Sequence, residues 1–447
     1  MSGFFGAFWE ALRGLPRNLR RGLHPGEESP DPNRRLRRNF LFHIHPLKVN
    51  ERSLHPLVTL GLGIMTLTLF LVLAVTGVLL MLYYVPTTRE AHASMLDIQH
   101  AVAFGPFVRA LHRWGAHAMV VTAALHLLRV AAMGAYRRRE LNWIFGVTLL
   151  LLTLGLSFTG YLLPWDQTST WAVTVASGML DHAPGIGPPL KDLLLGGEGV
   201  GQATLTRFYT LHVALLPAGL ALLLMLHLWR IRKDGGLAVP AGGPPSPGVP
   251  AWPALVLREA ILAIGVVAAL SLVATLVDAP LGAAPDLHRP DNPEKAPWYF
   301  LWLQEMVSHS ATAGGFWFPA VLALGLVAVP FLDRGDQGIG VWFGGRTGRW
   351  LALICVVGAG GALVLFEALA IRNPGGVSDA CNPATGMLLL AGLGCVLAGW
   401  ITRSTRFAFL TLLLVLLVAI VGFTLVGVCR GPNWVFYWPW EEWPLVS

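Results

Sequence analysis

Four histidines stand at matched spacing inside two apolar stretches of the chain. His112 and His126 are fourteen residues apart, and His212 and His227 are fifteen residues apart. Fourteen residues make nearly four turns of an α-helix, so two such imidazoles leave one helix face about 21 Å apart. Imidazole pairs ligate haem iron, and the sequence has no Cys-x-x-Cys-His motif for covalent attachment. The spacing therefore predicts two b-type haems, an outer one held by His112 and His212 and an inner one held by His126 and His227.

The alternative is that each histidine is a core residue bonded to a polar neighbour, as polar groups buried in membranes usually are. Glycines on two other apolar stretches repeat the same fourteen-residue period, at Gly63 and Gly77 and at Gly146 and Gly160. A porphyrin plate needs flanking helices that carry no side chain at the contact. Ordinary helix packing also uses small residues, but it does not require this period. The glycines therefore favour haem ligation.

The composition indicates that these sites lie in a membrane protein. Of 447 residues, 54% are hydrophobic and 13% are charged, and the mean hydropathy is +0.59. Crossing a bilayer takes about 20 apolar residues. Stretches of that kind lie near 57–84, 108–133, 143–163, 204–231, 254–278, 316–332, 349–371, 385–402 and 406–429. The predicted fold is an all-α membrane protein, with a four-helix diheme bundle followed by a bundle of about five transmembrane helices.

The net charge of +7 comes from arginines that alternate between loops, which argues against a nucleic-acid partner. Basic residues precede the first apolar stretch, follow the second and fourth, and lie between the sixth and seventh and between the eighth and ninth. The positive-inside rule then places the N-terminus in the cytoplasm and the C-terminus outside. An odd number of spans agrees with this orientation, and the lipid bilayer is the expected surrounding.

Three stretches resemble cytochrome b of the quinol–cytochrome c or quinol–plastocyanin reductases. They are VRALHRWGAH…LHLLRV, GYLLPWDQTSTWAVTV and GQATLTRFYTLHV…MLHLWRIRKDGG, and they are more similar to the chloroplast and cyanobacterial branch than to the mitochondrial one. The resemblance implies quinol oxidation at the outer face with proton release, and electron transfer inward through both haems. It also implies a Rieske iron–sulfur protein and/or c-type cytochrome subunits as partners. A homodimer within a larger complex of a bacterial cytoplasmic membrane is the implied assembly.

Composition and the resemblance together divide the chain into five segments. Residues 1–52 form a cytoplasmic N-terminal segment, either an interfacial helix or a disordered basic tail. Residues 53–232 form the diheme core, and 233–253 form a Pro/Gly-rich cytoplasmic linker. Residues 254–335 carry the quinol-site helices and loop, and 336–447 carry the C-terminal transmembrane helices.

The resemblance also assigns cofactor-binding positions. The positions that match haem-propionate arginines are Arg109, Arg113 and Arg129. Arg207 matches a family arginine near the outer haem. Bidentate pairing suits that task, although arginines at a membrane interface also snorkel. The residues at the family's inner quinone site are Arg230, Lys233 and Asp234. Basic residues that simply end a membrane helix would give the same sequence pattern.

The family builds its outer quinol site from a Pro-Trp-Asp-Gln stretch and a Pro-Glu-Trp-Tyr motif. The matching residues here are Pro164, Trp165, Asp166, Pro297, Trp298 and Tyr299. Pro297 stands where the motif has its glutamate, which accepts a quinol proton. Glu294 and Glu305 are the nearby carboxylates, and Glu305 is favoured because a carboxylate buried in a membrane is costly without a role. The predicted catalytic residues are therefore Glu305, Tyr299 and Asp166.

Two other functions stay open. A diheme quinol dehydrogenase or quinone reductase without bifurcation, exchanging electrons with a multihaem cytochrome, is compatible with the missing glutamate. A transporter whose histidines relay protons is the non-redox alternative. A third, covalent haem is not expected, because Gly61 stands where the photosynthetic branch has its attaching cysteine.

Two of the four cysteines, Cys381 and Cys429, fall on the predicted outer face. Oxidising conditions there permit a disulfide, and the topology predicts a Cys381–Cys429 bond. Two unrelated thiols that share a side are the alternative.

Overall fold

The computed structural model describes residues 48–234, 239, 248–333, 338–372 and 382–443. The α-helices in this part of the chain are α1 Pro56–Thr59, α2 Leu62–Met81, α3 Ala91–His100, α4 Gly105–Ala132, α5 Glu140–Leu162, α6 Gln167–Met179, α7 Gly187–Leu195, α8 Gln202–Thr210, α9 Leu216–Lys233, α10 Ala251–Ala254, α11 Val256–Leu276, α12 Trp298–His309, α13 Phe318–Leu332, α14 Arg346–Arg372, α15 Pro383–Thr402 and α16 Thr405–Val428. Two-residue strands, β1 Lys48–Val49 and β2 Val249–Pro250, pair antiparallel. The predicted all-α fold is confirmed. Most of the predicted N-terminal segment and much of the predicted linker lie outside the described residues.

Within the described ranges, nine helices are long and apolar enough to cross a membrane. A π-helical turn at Leu211–Leu215 joins α8 to α9, and another at Ala313–Trp317 precedes α13. All nine predicted stretches coincide with these helices. Large apolar side chains cover their outer surfaces, such as Ile264 and Val357, which are 69% and 66% exposed. Such surfaces suit contact with lipid, and the chain is a multi-pass membrane protein.

The first helix unit consists of α2, α4, α5 and the joined α8–α9 helix. An apolar layer formed by Leu69, Met119 and Leu220 fills its middle, and all three side chains are buried. Met119 lies midway between His112 and His126, so the layer separates two levels of histidine. The upper end of the unit is defined by His112 and His212, and the lower end by His126 and His227.

The second helix unit consists of α12 to α16, around a core that includes Phe318, Met387 and Phe423. At the lower end, the Tyr136 hydroxyl donates to Asp333 over 2.7 Å and ties the two units together. At the upper end, Phe300 of α12 packs against Phe158 of α5, with ring centroids 6.0 Å apart. The start of α12 therefore lies at the upper end of the first unit.

Candidate redox centres

Two pairs of imidazoles face each other across the first helix unit. The ring centroids of His112 and His212 are 6.2 Å apart, and those of His126 and His227 are 6.5 Å apart. A metal–imidazole bond of about 2.0 Å on each side, with each ring centre about 1 Å behind its nitrogen, needs centroids about 6 Å apart. The structure therefore brings the four predicted ligands together in the predicted pairs, at a spacing that suits one iron ion per pair.

A π-helical turn explains how a fifteen-residue gap keeps two histidines on one face. Fifteen residues at 100° each overshoot four full turns by about 60°, whereas fourteen fall short by about 40°. The turn at Leu211–Leu215 contains His212 and takes up one extra residue. Turns of this kind are frequent at functional sites. His212 and His227 can therefore both point at α4.

The Nδ1 atoms of three of these imidazoles contact neighbouring helices. Their partners are Thr76 Oγ1 at 2.9 Å for His112, the Leu156 carbonyl at 3.1 Å for His212, and the Asn142 carbonyl at 3.2 Å for His227. The Thr76 hydroxyl donates to the Val72 carbonyl, so its oxygen accepts a hydrogen bond from Nδ1–H of His112. A protonated Nδ1 leaves the lone pair on Nε2 free for a metal, and metal-bound histidines usually donate their other ring N–H in this way.

The four period-matched glycines stand against the histidine rings. A Cβ added to each would meet one Cε1 atom, at 3.5 Å for Gly63 and His126, 3.3 Å for Gly77 and His112, 3.5 Å for Gly146 and His227, and closer still for Gly160 and His212. The glycine period therefore copies the histidine period because each glycine makes room for one imidazole. The structure thus shows a glycine–imidazole contact at all four positions, and the expected glycine–porphyrin contact stays a prediction.

The four predicted arginines fall into two groups. Arg109 donates to Gln99 and to the carbonyls of Ala279 and Pro280, all within 2.7 Å. Arg207 donates to the carbonyls of Asp192 and Leu193. These two guanidinium groups bind loop carbonyls in this structure, and their predicted contact with a cofactor stays a prediction.

Arg113 and Arg129 differ from that pair. The Nε of Arg113 and the Nε and Nη2 of Arg129 are buried with no hydrogen-bond partner among the described residues. Unpaired buried guanidinium donors are costly unless an acidic group arrives, so these two fit a carboxylate-bearing cofactor.

A cavity of about 300 Å³ opens at the upper end between α5, α6 and α12. Its walls are almost entirely apolar, and its lining includes Phe158, Tyr161, Val175, Met179, Phe300, Gln304, Pro297 and Glu294. A concave apolar cavity with few polar groups is the usual form of a site for a small organic ligand. Glu294 is the acidic residue in this lining.

Glu294 is set up to exchange a proton. Its Oε2 is buried and has no hydrogen-bond partner in the described part of the chain. Burial, together with the negative charges of Asp291 and Asp166, raises the pKa of Glu294 to about 8. The carboxyl group therefore changes protonation state near neutral pH.

The structure does not place Glu305 in this cavity, which corrects the preference for it. Gln304 lines the cavity, and the next residue of α12 lies about 100° further around the helix. Glu305 is fully buried there against Arg430, whose Nε lies 2.9 Å from Oε1 and 3.1 Å from Oε2. The Trp434 indole also donates to Oε2 over 2.9 Å.

Asp166 makes structural contacts and is not among the residues that line the cavity, so its catalytic role stays a prediction. Its Oδ1 accepts from the Ser169 amide and caps α6, and its Oδ2 accepts from the Gly282 amide, both over 2.9 Å. Its neighbour Trp165 is buried in an apolar core with Phe208 and does not line the cavity. The Pro-Trp-Asp-Gln stretch therefore holds the 277–297 loop over the cavity.

His117 contacts the motif that follows Pro297, a contact that spacing did not reveal. The Trp298 indole donates to Nδ1 of His117 over 2.8 Å, and the ring centroids of His117 and Tyr299 are 5.7 Å apart. Spacing indicated only that His117 lies on a different face from His112. The contact joins residues 181 positions apart, so only the fold places them together.

At the lower end, Arg230 and Asp234 form an ion pair of 2.5 Å, and the Lys233 Nζ lies 5.8 Å from the centre of the Trp229 ring. The first contact is an i,i+4 pair at the end of a helix, which fits a helix stop as well as a binding site.

Cys381 lies outside the described residues, so its bond to Cys429 stays a prediction.

Comparison with known proteins agrees with this geometry. The family model for cytochrome b/b6/petB matches residues 51–235. Cytochrome b6 of Mastigocladus laminosus is 46% identical over 175 residues, which are 39% of this chain and 81% of that protein. Cytochrome b6 of a Synechocystis species is 47% identical, covering 39% of this chain and 79% of the relative. A solved chain described as "Hyperthermophilic respiratory Complex III" shares the fold, with a TM-score of 0.59 and 23% sequence identity. The match covers 88% of this chain and 94% of the solved chain. The chain belongs to the cytochrome b/b6 family.

Proposed function

We propose that the chain is the diheme b-type cytochrome subunit of a membrane complex that oxidises quinol. The observation that carries the proposal is the two imidazole pairs, 6.2 and 6.5 Å apart, one at each end of the first helix unit. Bound haems would supply one-electron transfer between the two ends, because their irons change oxidation state without leaving the protein. The similarity to proteins named cytochrome b6 supports this cofactor choice.

The protein's own residues would set the conditions for that transfer. His112 and His126 leave one helix about 21 Å apart, which spans most of the apolar thickness of a bilayer. Arg113 and Arg129, each with buried unpaired donors, would pair with the acidic groups of the cofactors. The apolar layer around Met119 keeps water from between the two levels.

The upper cavity is the proposed site of quinol oxidation. Its apolar walls suit a quinone ring, and Glu294 supplies the group that takes a proton. A neutral quinol must lose protons as it loses electrons, and a carboxylate with a pKa of about 8 can accept one near neutral pH. Glu294 thereby replaces the glutamate that Pro297 displaces from the family motif.

The orientation follows from charge. Arg137, Arg138 and Arg139 follow the lower end of α4, and a basic loop of this kind favours the cytoplasmic side. The upper cavity would then release its protons outside. The structural neighbour is named as part of a respiratory complex, which supports a multi-subunit assembly. For that assembly a Rieske protein and/or c-type cytochrome and a homodimeric arrangement are proposed.

The test is a reduced-minus-oxidised spectrum of the purified chain with its native partners, followed by addition of a quinol. We expect a b-type signal of two haems per chain that quinol reduces. Absence of any b-type signal would refute the proposal and leave the transporter hypothesis.

A second candidate is a quinol dehydrogenase that does not bifurcate electrons, and the proline at position 297 favours it. Mass spectrometry of the co-purified subunits separates the two candidates. A Rieske protein supports bifurcation, and a multihaem cytochrome in its place supports the second candidate.

A further inference from the structure

A group of charged side chains is buried in the second helix unit, apart from both redox centres. Glu305 and His309 lie on α12, Glu367 lies near the end of α14, and Arg430 follows α16. The two glutamates are 0% and 5% exposed, and Arg430 is 8% exposed. Four ionisable groups from three segments therefore meet where water is largely excluded, and burial makes their charge balance costly to disturb.

The Arg430 guanidinium donates its hydrogen bonds to Glu305 and not to Glu367. Arg430 binds Glu305 through both Nε and Nη2, and the Trp434 indole donates to the same carboxylate. Glu367 is much less well served. Its nearest Arg430 nitrogen is 3.7 Å away, and neither of its oxygens has a hydrogen-bond partner of good geometry among the described residues.

His309 lies between the two carboxylates. Its Nε2 is 3.2 Å from Glu305 Oε1 and 3.0 Å from Glu367 Oε1. These are ion-pair distances, and neither contact has the geometry of a hydrogen bond. Two carboxylates and one guanidinium leave one negative charge, which a proton on His309 cancels. Burial lowers the pKa of His309, but the two carboxylates raise it more, to about 9.

The same three donors could hold a divalent cation, since their ligand atoms lie within 4.8 Å of one another. Charge argues against it. A dication beside Arg430 and two carboxylates would leave a net charge of +1 in a buried site, whereas a proton leaves the site neutral.

The group also lies directly behind the wall of the upper cavity. Gln304 lines the cavity, donates to the Glu294 carbonyl over 2.8 Å, and is followed in α12 by Glu305. On the other side, Asn433 is exposed and lies next to Trp434, which contacts Glu305. Lys295, whose Nζ donates to the Val428 carbonyl, is the charged group on the adjoining loop.

We propose that Glu305, His309, Glu367 and Arg430 form a buried proton-holding site that accepts protons from the quinol cavity and releases them at the upper surface. His309 carries the proton as imidazolium. It loses the Nε2 proton to the outer aqueous phase and regains one from the cavity side, so no electrons change hands. This rests on the proposed function, which supplies the quinol as the source of protons.

Glu367→Gln is the informative variant. It leaves one carboxylate for one guanidinium, so the site stays neutral with an uncharged His309, and the protein is expected to fold. His309→Gln removes the proton carrier directly. Glu198→Gln is the matched control, because Glu198 is exposed on the loop before α8 and takes part in none of the ion pairs of this group.

The experiment uses the full chain with its native partners, labelled with ¹⁵N-histidine for solid-state NMR. At pH 7.5 we expect an imidazolium signal in the wild type and in E198Q that E367Q and H309Q lack. We also expect E367Q and H309Q to oxidise quinol about ten-fold more slowly than E198Q, with unchanged haem spectra.

Each contrary outcome is distinct. An imidazolium signal that persists in E367Q, or one stoichiometric metal ion that E367Q loses, overturns the proton site. Normal quinol oxidation in both variants overturns its link to the cavity. A wild-type protein that does not oxidise quinol contradicts the proposed function instead, and the NMR signal still decides the proton site.

Discussion

Gly160→Ala should weaken binding of the upper haem, whereas Gly63→Ala should leave both haems bound. A Cβ at Gly160 would lie 2.9 Å from Nδ1 and 3.0 Å from Nε2 of His212, and nearer still to Cε1. A comfortable contact is about 3.5–4.0 Å, so the ring must move by roughly 1 Å. At Gly63 the nearest atom of His126 would be 3.5 Å away, which is an ordinary contact.

The size of the effect follows from the cost of overpacking. Inserting a methyl group into a well-packed site costs about 1–3 kcal/mol. Since about 1.4 kcal/mol corresponds to a factor of ten, G160A should weaken haem binding at His212 roughly ten- to hundred-fold.

The assay is haem content per chain in the purified complex, together with a redox titration of the b-type signal. G160A should fall from two haems toward one, with the lower-haem component of the titration unchanged. Two full haems with unchanged potentials in G160A would refute the argument that the glycine makes room for the ligand. Equal losses in G160A and G63A would refute it as well, because only one of the two sites is tight.

Three further predictions concern the haem ligands and the quinol cavity. Replacing His126 or His227 should abolish the lower-haem signal and spare the upper one, and loss of both haems from a folded single variant would contradict separate pairs. The rate of quinol oxidation should rise with pH through about 8 as Glu294 ionises. E294Q should abolish that rise, whereas E305Q should keep it. An unchanged pH profile in E294Q would exclude Glu294 as the proton acceptor. Thr76→Val removes the acceptor for Nδ1 of His112 and should weaken binding of the upper haem about 10- to 100-fold, with Thr66→Val, in the same helix, as the control.

The nine membrane helices of the described ranges and the two histidine pairs could be predicted from the sequence because both depend on local patterns of residues. An apolar stretch of about 20 residues needs no knowledge of its neighbours to be a membrane helix. Likewise, fourteen residues return to nearly the same helix face whatever packs against it, so His112 and His126 share a face in any α-helix. The exception is informative, since the fifteen-residue gap needed the π-helical turn that contains His212.

Tertiary contacts decided which carboxylate lies at the cavity. Glu294 and Glu305 are eleven residues apart, and either could have lined it by sequence alone. The choice depends on where α12 begins and which face it turns to α16, and Arg430, 125 residues further on, binds Glu305 on that face. Asp166 is a similar case. Its cap on α6 is a local feature that Ser169 could have indicated, but the bond to Gly282 uses its second oxygen and comes from a loop 116 residues away. Contacts over such separations carry no periodic signal in the sequence, because they depend on how whole helices pack against one another.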